Sequence, residues 1–215
     1  MVVGLLGGSF DPAHAGHAHI TREALKRFGL DRVWWLVSPG NPLKAEGPAP
    51  LATRIAQARS VIDDPRVVIT GLEVLLGTRH TAALLDRLTA LYPGVHFVWL
   101  MGADNLVQFH RWKDWRAIAR EMPIAVIARP GYDDRALASP AMAWLRRYRL
   151  SAARFCNRGE WSAPALIELR FDPDPRSATQ IRRADPQWAD RFSGVPPRDQ
   201  LTHDPIFTSI KAERA

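Results

Sequence analysis

Two histidines, His14 and His17, stand three residues apart behind a glycine-rich turn that begins at Gly7-Gly8. An apolar run leads into this turn, and a helical pattern leads out of it. Glycines let a phosphate approach the backbone, and the first N–H groups of a helix and its dipole favour negative charge. The stretch is therefore predicted to bind phosphates, with both histidines beside them.

A second candidate anion site lies late in the chain, where a Pro-rich segment precedes a helical pattern. Ser177 and Thr179 stand at the start of that helix, and Arg182 follows one turn later. Hydroxyl groups at a helix start can donate to phosphate beside the backbone N–H groups, and arginine adds charge-assisted hydrogen bonds. The same residues also suit an ordinary N-cap followed by surface arginines, so both interpretations stay open.

Further polar residues follow the predicted strands at their carboxyl ends, where open α/β sheets bind ligands. Lys44, in a long Pro- and Gly-rich loop, is a candidate phosphate contact or a solvated loop lysine. Asp104, two residues after Gly102, suits a ribose hydroxyl, although it could also cap the next helix. Thr78 or Thr81 could cap another helix or present a hydroxyl to a ligand.

Aromatic and basic residues alternate between Phe109 and Trp115, with Trp112 at the centre. Such a stretch could stack on a base or on a nucleic-acid strand. A helix of this kind more often buries its tryptophans, so Trp115 is predicted to pack in the core.

Strand and helix patterns alternate over the first 130 residues. The strands are continuous apolar runs, which are typical of parallel strands covered on both faces. Strands are predicted at 2–6, 32–37, 67–69, 95–101 and 123–128, with a weaker one at 166–171, and helices at 16–28, 51–62, 82–91 and 133–149. This order predicts an α/β protein with a Rossmann-like doubly wound parallel sheet and a small C-terminal helical part.

The chain length fits one sizeable domain, expected over residues 1–192. Its core sheet is expected within about residues 1–130, and its second phosphate motif at 177–182. Residues 193–215 contain paired prolines and little periodicity, so they are predicted to form an irregular tail that is partly extended or loosely docked.

Composition narrows the class of protein. A single cysteine, Cys156, excludes an intrachain disulfide, and no basic leader or apolar run of roughly 18 residues is present, so a cytoplasmic location is expected. The net charge of the chain is +7. The arginines are dispersed along the chain, with the densest groups at 146–149 and 182–183. General amino-acid usage would explain this charge, as would an anionic partner such as a phosphorylated small molecule or a nucleic acid.

The two candidate phosphate sites resemble those of the nucleotidyltransferase superfamily that is defined by a glycine-rich turn and an H-x-G-H motif. Gly7-Gly8-Ser9-Phe10-Asp11-Pro12 with His14-x-Gly16-His17 is similar to the first motif, and Ser177-Ala178-Thr179-Gln180-Ile181-Arg182 to the second, I-S-S-T-x-I-R. Within the superfamily, the chain most resembles the bacterial nicotinate mononucleotide adenylyltransferase family. The likeness runs in order from residue 4 to about residue 183. Its other points are the loop ending at Lys44, segment 78–81, segment 102–106, Trp112 and Arg129-Pro130-Gly131.

The resemblance implies transfer of the adenylyl group of ATP to nicotinate mononucleotide with release of pyrophosphate, a step of NAD biosynthesis. The implied catalytic residues are His14, His17, Lys44 and Arg182. The implied ATP site comprises Gly7, Gly8, Ser9, Phe10, His14, His17, Gly102, Asp104, Ser177, Thr179 and Arg182. The implied mononucleotide site comprises Lys44, Thr78, Thr81, Trp112 and Arg129. Mg2+ is expected to bind through the phosphates of ATP, and no nucleic-acid or membrane partner is expected, whereas a homo-oligomer is compatible with the sequence.

The chain departs from the family pattern at three positions before the tail. The loop ends in Leu43-Lys44 rather than His-Lys, so only the lysine carries over. Ala178 replaces the second serine of the late motif and removes one hydroxyl donor. His80 stands where the family usually has another aromatic residue before the threonine. The tail after Ser193 does not resemble the usual family ending.

Alternative functions differ in what they require of the sequence. Sibling transferases that act on nicotinamide mononucleotide or phosphopantetheine share the same motifs and are the main alternatives. An RNA-binding protein on a non-catalytic nucleotide fold would explain the charge, but the intact His14 and His17 argue against it. These two and His19 match no common zinc spacing. The glycine turn has neither a following Gly-Lys-Ser/Thr nor G-x-G-x-x-G, which argues against a Walker-type ATPase and a dinucleotide-binding oxidoreductase.

Overall fold

The computed structural model describes residues 1–40, 47–78, 80–127, 133–157, 162–171, 174, 176–194 and 197–206. Within these ranges six strands form one sheet in which every neighbouring pair is parallel. The strands are β1 (Val2–Gly8), β2 (Arg32–Val37), β3 (Val67–Thr70), β4 (His96–Gly102), β5 (Ile124–Ile127) and β6 (Leu166–Leu169). Their order, β3-β2-β1-β4-β5-β6, is that of a Rossmann-like doubly wound sheet, so the predicted fold class is confirmed.

The strand order reverses between β1 and β4, at the centre of the sheet. Leu6 of β1 pairs with Leu100 of β4, so the carboxyl ends of the two strands, Gly8 and Gly102, lie at the same edge. Connections that leave neighbouring strands in opposite directions open a crevice there, and ligands bind in it. The fold thus places the glycine turn and the Gly102 segment side by side.

Helices cover the sheet, and the three predicted at 16–28, 51–62 and 82–91 are confirmed within one residue. The helices in the described ranges are α1 (Ala15–Phe28), α2 (Leu51–Val61), α3 (Leu72–Leu75), α4 (Thr81–Leu91), α5 (Ala103–Phe109), α6 (Trp115–Glu121), α7 (Asp133–Leu137), α8 (Pro140–Leu145), α9 (Ala152–Cys156) and α10 (Ala178–Ala184). Of these, α3, α5 and α6 had no predicted bounds. Helix α1 ends at Gly29, whose φ of 58° is the left-handed conformation that glycine adopts without strain. None of the helices described is long and apolar enough to cross a membrane.

Two hydrophobic clusters hold the helices to opposite faces of the sheet. Consecutive strand residues point to opposite faces, and the neighbours Trp34 and Trp35 of β2 do so here. Trp35 packs in the cluster that includes Phe28 of α1 and Ile55 of α2. Trp34 packs in the other cluster, with Leu85 of α4 among its members. Both faces are covered, which explains why the strands are apolar throughout.

The predicted single helix at 133–149 is wrong. The structure has α7, a break at Ser139, α8 and a 3-10 turn at Arg146–Tyr148. Pro140 has no N–H and disfavours helical backbone in the residue before it. Ser139 accordingly adopts extended backbone, and its hydroxyl accepts a hydrogen bond from the Met142 N–H to cap α8.

The described part of the tail is anchored more firmly than the sequence predicts. Asp199 is 1% exposed, and its carboxylate accepts hydrogen bonds from the Thr70 hydroxyl at 2.7 Å and the Gly71 N–H at 2.8 Å. Gln200 Oε1 accepts from the Ile69 N–H of the edge strand β3. Ile206 is buried beside Gly71. These contacts cover the edge of β3, which periodicity in the tail could not indicate.

Candidate active site

The first phosphate loop, residues 9–13, connects β1 to α1 at the crevice. Phe10 adopts a φ of 45°, which is strained for a residue with a side chain. Its ring is 2% exposed and stacks on Trp35, with centroids 4.9 Å apart and planes at 9°. Because that ring fills the core, the contribution of Phe10 to the predicted ATP site is confined to its backbone.

His14 and His17 form the N-terminal cap of α1 together. The Gly16 N–H donates to His14 Nδ1 at 3.2 Å, and the His14 N–H donates to His17 Nδ1 at 3.1 Å. The imidazole centroids lie 3.9 Å apart. A ring nitrogen that accepts a hydrogen bond carries no proton, so this cap assigns the proton of each neutral imidazole to Nε2. Both histidines are thereby held as Nε2–H donors.

The glycine between the histidines has a steric reason. A Cβ on Gly16 would lie 2.9 Å from both Nδ1 and Cε1 of His14, well inside ordinary contact. Gly7 is constrained in a similar way, since its Cβ would lie 2.5 Å from the Trp99 ring of β4. The sequence interpretation assigned the glycine turn to phosphate approach alone, whereas the structure shows that packing requires Gly7 as well.

Helix α10 brings the second candidate phosphate motif to the first. Ser177 caps this helix, its Oγ accepting from the Gln180 N–H at 3.3 Å, while Thr179 lies exposed in its first turn. Arg182 Nη1 donates to the backbone oxygen of Asp11 and lies 3.5 Å from Asp11 Oδ2. Residues more than 160 positions apart therefore meet, and both motifs face one crevice.

Asp11 joins the two candidate motifs, and sequence reasoning did not select it. Besides Arg182, it contacts the segment that follows the Lys44 loop, because its Oδ1 accepts from the Ala49 N–H at 3.1 Å. Asp11 lies within the first motif, but its partners are distant in sequence, and only the fold brings them together.

The predicted ribose contact lies on the other side of the crevice. Gly102 ends β4 and caps α5, and Asp104 stands partly buried in the first turn of that helix. Trp112 follows α5, is partly exposed, and lies edge-on to Trp99, the residue that packs over Gly7. The structure thus links Trp112 to the glycine turn through a single ring.

Trp115 behaves as predicted. It is 9% exposed and packs edge-on against Phe109 and Trp144, with centroids 5.6 and 5.5 Å apart. Core packing therefore uses this tryptophan, and it is not available to stack on a nucleic-acid strand.

The predicted mononucleotide residues are only partly described. Thr78 is 6% exposed, and its hydroxyl donates to the Glu73 backbone oxygen at 3.1 Å, next to α3. Thr81 begins α4 and is partly exposed. Lys44 and Arg129 lie outside the described residues. Thr78 therefore has a structural role, and the mononucleotide contacts of all four stay predictions.

Within the described ranges, no group of three or more His, Cys, Asp or Glu residues is arranged to hold a metal ion. Two ionisable side chains have pKa values that burial shifts. Burial raises the pKa of Glu73 to about 7 and lowers the pKa of Arg54 to about 10, the latter partly offset by Asp11. Arg54 thus keeps its proton at neutral pH. Like Asp11, it was not selected by sequence reasoning.

Known proteins resemble this chain over most of its length. The family model described as cytidylyltransferase-like matches residues 5–184. A protein of Erythrobacter litoralis named "Probable nicotinate-nucleotide adenylyltransferase" is 60% identical over 208 residues, covering 95% of this chain and 94% of the relative. One of the same name from Roseobacter denitrificans is 61% identical over 181 residues, covering 84% and 91%.

A solved structure agrees with the fold. The Plasmodium falciparum nicotinic acid mononucleotide adenylyltransferase complexed with NaAD superposes with a TM-score of 0.61, over 85% of this chain and 82% of that one. Its sequence identity of 16% supports a shared fold and no more. The family model and the two relatives show the family as well as the fold. The chain belongs to the cytidylyltransferase-like family and, within it, to the nicotinate-nucleotide adenylyltransferases.

Proposed function

We propose that this enzyme transfers the adenylyl group of ATP to nicotinate mononucleotide, giving nicotinic acid adenine dinucleotide and pyrophosphate in NAD biosynthesis. The observation that carries the proposal is the contact of Arg182 with Asp11, which joins the second candidate phosphate motif to the loop of the first. The names of the relatives supply the substrate.

The reaction needs no nucleophile from the protein. A phosphate oxygen of the mononucleotide forms a bond to the α-phosphorus of ATP, while the bond from that phosphorus to the bridging oxygen of pyrophosphate breaks. Negative charge builds on the α-phosphate and on the leaving pyrophosphate. Catalysis therefore consists of aligning two anions and supplying fixed donors where this charge develops.

The residues of the crevice suit these tasks. The Nε2–H groups of His14 and His17 would donate to ATP phosphates, and their orientation is fixed before the substrate binds. Arg182 has five N–H donors, so its contact with Asp11 leaves others for the triphosphate. Ser177 and Thr179 would add hydroxyl groups beside it.

The remaining assignments concern substrate recognition, except that Lys44 would also neutralise phosphate charge. Asp104 would bind the ribose of adenosine through its carboxylate. Trp112 would stack on the nicotinate ring, supported by Trp99. Lys44, with Arg129 and the threonines Thr78 and Thr81, would contact the mononucleotide.

Mg2+ is proposed as a phosphate-bound ion. Because the described residues offer no cluster of protein ligands, the phosphates of ATP would hold it, as is common for this ion. When bound, it supplies neutralisation of phosphate charge. We also retain a cytoplasmic location as an expectation from the sequence, with which a homo-oligomer is compatible.

Parallel assays test the proposed substrate. ATP is supplied with nicotinate mononucleotide, nicotinamide mononucleotide or phosphopantetheine, and pyrophosphate release is measured for each. The proposal expects the highest kcat/KM for nicotinate mononucleotide. Equal efficiencies, or a preference for either alternative, would overturn it.

The histidine role is tested separately by His17→Ala. Removal of one preorganised donor is expected to lower kcat by about 10²-fold, with unfolding in urea showing that the protein still folds. An unchanged kcat would rule out transition-state stabilisation by His17.

A further inference from the structure

Helix α2 buries two polar side chains one turn apart, on the face that it turns toward the first phosphate loop. Arg54 is 0% exposed and Gln57 is 9% exposed. Buried polar groups carry a desolvation cost unless they are fully hydrogen-bonded, and arginine carries the largest. An apolar residue would pack at either position at a lower cost. Their partners explain what these two residues do.

Arg54 connects three separate segments at the crevice. Its guanidinium donates to the backbone oxygens of Ser9 at 2.6 Å, Ser38 at 2.7 Å and Ala49 at 2.6 Å, with a longer contact to Pro39 at 3.2 Å. These oxygens belong to the phosphate loop, to the chain leaving β2, and to the end of the loop that contains Lys44. A planar fork of five donors suits several carbonyl groups at once, which an ammonium group does not.

Gln57 holds the other end of the phosphate loop. Its Oε1 accepts from the Ala13 N–H at 2.8 Å, and its Nε2 donates to the Ala13 backbone oxygen at 2.9 Å. One amide thus fixes both polar groups of the residue that directly precedes His14. The next hydrogen bond along the chain runs from the His14 N–H to His17 Nδ1.

We propose that Arg54 and Gln57 are positioning residues that set the orientation of His14 and His17 by fixing both ends of the phosphate loop to α2. Arg54 defines where the loop begins, at Ser9, and Gln57 defines where it ends, at Ala13. Since the peptide unit is planar, a Ser9 carbonyl held toward α2 directs the Phe10 N–H to the opposite side. The inference rests on the proposed function only in its prediction for catalysis.

The chain provides a matched control on the same helix. Arg59 is also partly buried and also donates to a backbone oxygen, that of Arg198 at 2.5 Å, but this oxygen belongs to the tail. Replacing Arg59 therefore removes a similar interaction without touching the phosphate loop. Arg54→Met, Gln57→Met and Arg59→Met form the set, because methionine is unbranched and of similar length.

Steady-state kinetics distinguish positioning from plain stability. Arg54→Met and Gln57→Met are expected to lower kcat at least tenfold with less than a threefold change in the KM for ATP, since misplacement of about 1 Å can cost about 10²-fold. Arg59→Met is expected to lower the urea midpoint and to keep kcat within twofold. A kcat within twofold of wild type in Gln57→Met would overturn the proposal. This outcome decides the matter even if Arg54→Met fails to fold.

A second readout does not depend on activity. Long-range 1H–15N spectra report which imidazole nitrogen carries the proton, and the wild type should show Nε2–H for His14 and His17. Gln57→Met should give mixed tautomers for His17, whose Nδ1 accepts from the His14 N–H that follows Ala13, while Arg59→Met should match the wild type. Unaltered histidine signals in Gln57→Met would contradict positioning. Failure of the wild type to transfer an adenylyl group would instead refute the proposed function, and these spectra would still decide the role of Gln57.

Discussion

Replacing Gly16 by alanine separates the geometry of the histidines from the stability of the fold. The new Cβ would lie 2.9 Å from His14 Nδ1 and Cε1, and ordinary contacts begin at 3.4 Å. The imidazole must therefore move by roughly 0.5 Å, which also weakens its bond from the Gly16 N–H. Given that about 1 Å of misplacement can cost about 10²-fold, kcat should fall about tenfold.

The same substitution should leave the free energy of unfolding almost unchanged. Alanine is favoured over glycine in a helix by about 1 kcal/mol, which offsets part of the steric cost. The expected net change is within about 1 kcal/mol, measured by urea unfolding, while kcat is measured by pyrophosphate release with ATP and nicotinate mononucleotide.

Gly29→Ala is the opposite control on the same helix. Gly29 has a φ of 58°, and a Cβ there would meet no atom within 4 Å, so only backbone strain is added. This variant should lose about 1–2 kcal/mol of stability and keep its kcat. The reasoning is refuted if Gly16→Ala retains full kcat, or if its loss of activity merely follows a loss of stability like that of Gly29→Ala.

Three further predictions concern other parts of the molecule. Burial raises the pKa of Glu73 from 4.5 to about 7, so the stability of the protein is fully present below pH 4.5 and falls as the pH rises through 7. Glu73→Gln should therefore be more stable than the wild type by about 1–2 kcal/mol at pH 8 and equal to it at pH 4.5. Urea titrations at both pH values measure this difference. Asp199→Ala removes the buried acceptor of the Thr70 hydroxyl and the Gly71 N–H, and should cost about 3 kcal/mol, with Asp204→Ala, an exposed residue of the same tail, as its control. A cost below 1 kcal/mol would show that the tail is not anchored there. Trp112→Ala should raise the KM for nicotinate mononucleotide about tenfold and leave the KM for ATP within twofold, because one stacking contact is lost; equal changes in both would argue against the assigned stacking.

Much of the fold was predictable because the strands are apolar throughout. The patterns at 32–37 and 51–62 led to β2 and α2 within one residue, since a buried parallel strand and a helix with a buried face leave direct signatures. The helix at 133–149 failed for a local reason that was visible, the Ser139-Pro140 pair. The attachment of the tail left no signature in the sequence, because it depends on Asp199 meeting the end of β3.

The candidate site also has a part that was predictable from the sequence and a part that was not. The types and spacing of Gly7, His14, His17 and Arg182 were enough, from the sequence alone, to predict two candidate phosphate-binding segments. A motif of this kind is read from neighbouring residues, and neighbours in the chain are neighbours in space.

Only the tertiary structure decided how those residues are held. The nitrogen that carries the proton in each histidine follows from the cap of α1, and the roles of Arg54, Gln57 and Asp11 follow from partners distant in the chain. The sequence does not show whether a polar residue in a helix faces water or a buried carbonyl group. Only the burial of its side chain in the folded protein distinguishes these two environments. The sequence by itself thus determined which candidate groups are present, and the packing of α2 and α10 against the first loop determined how they are arranged.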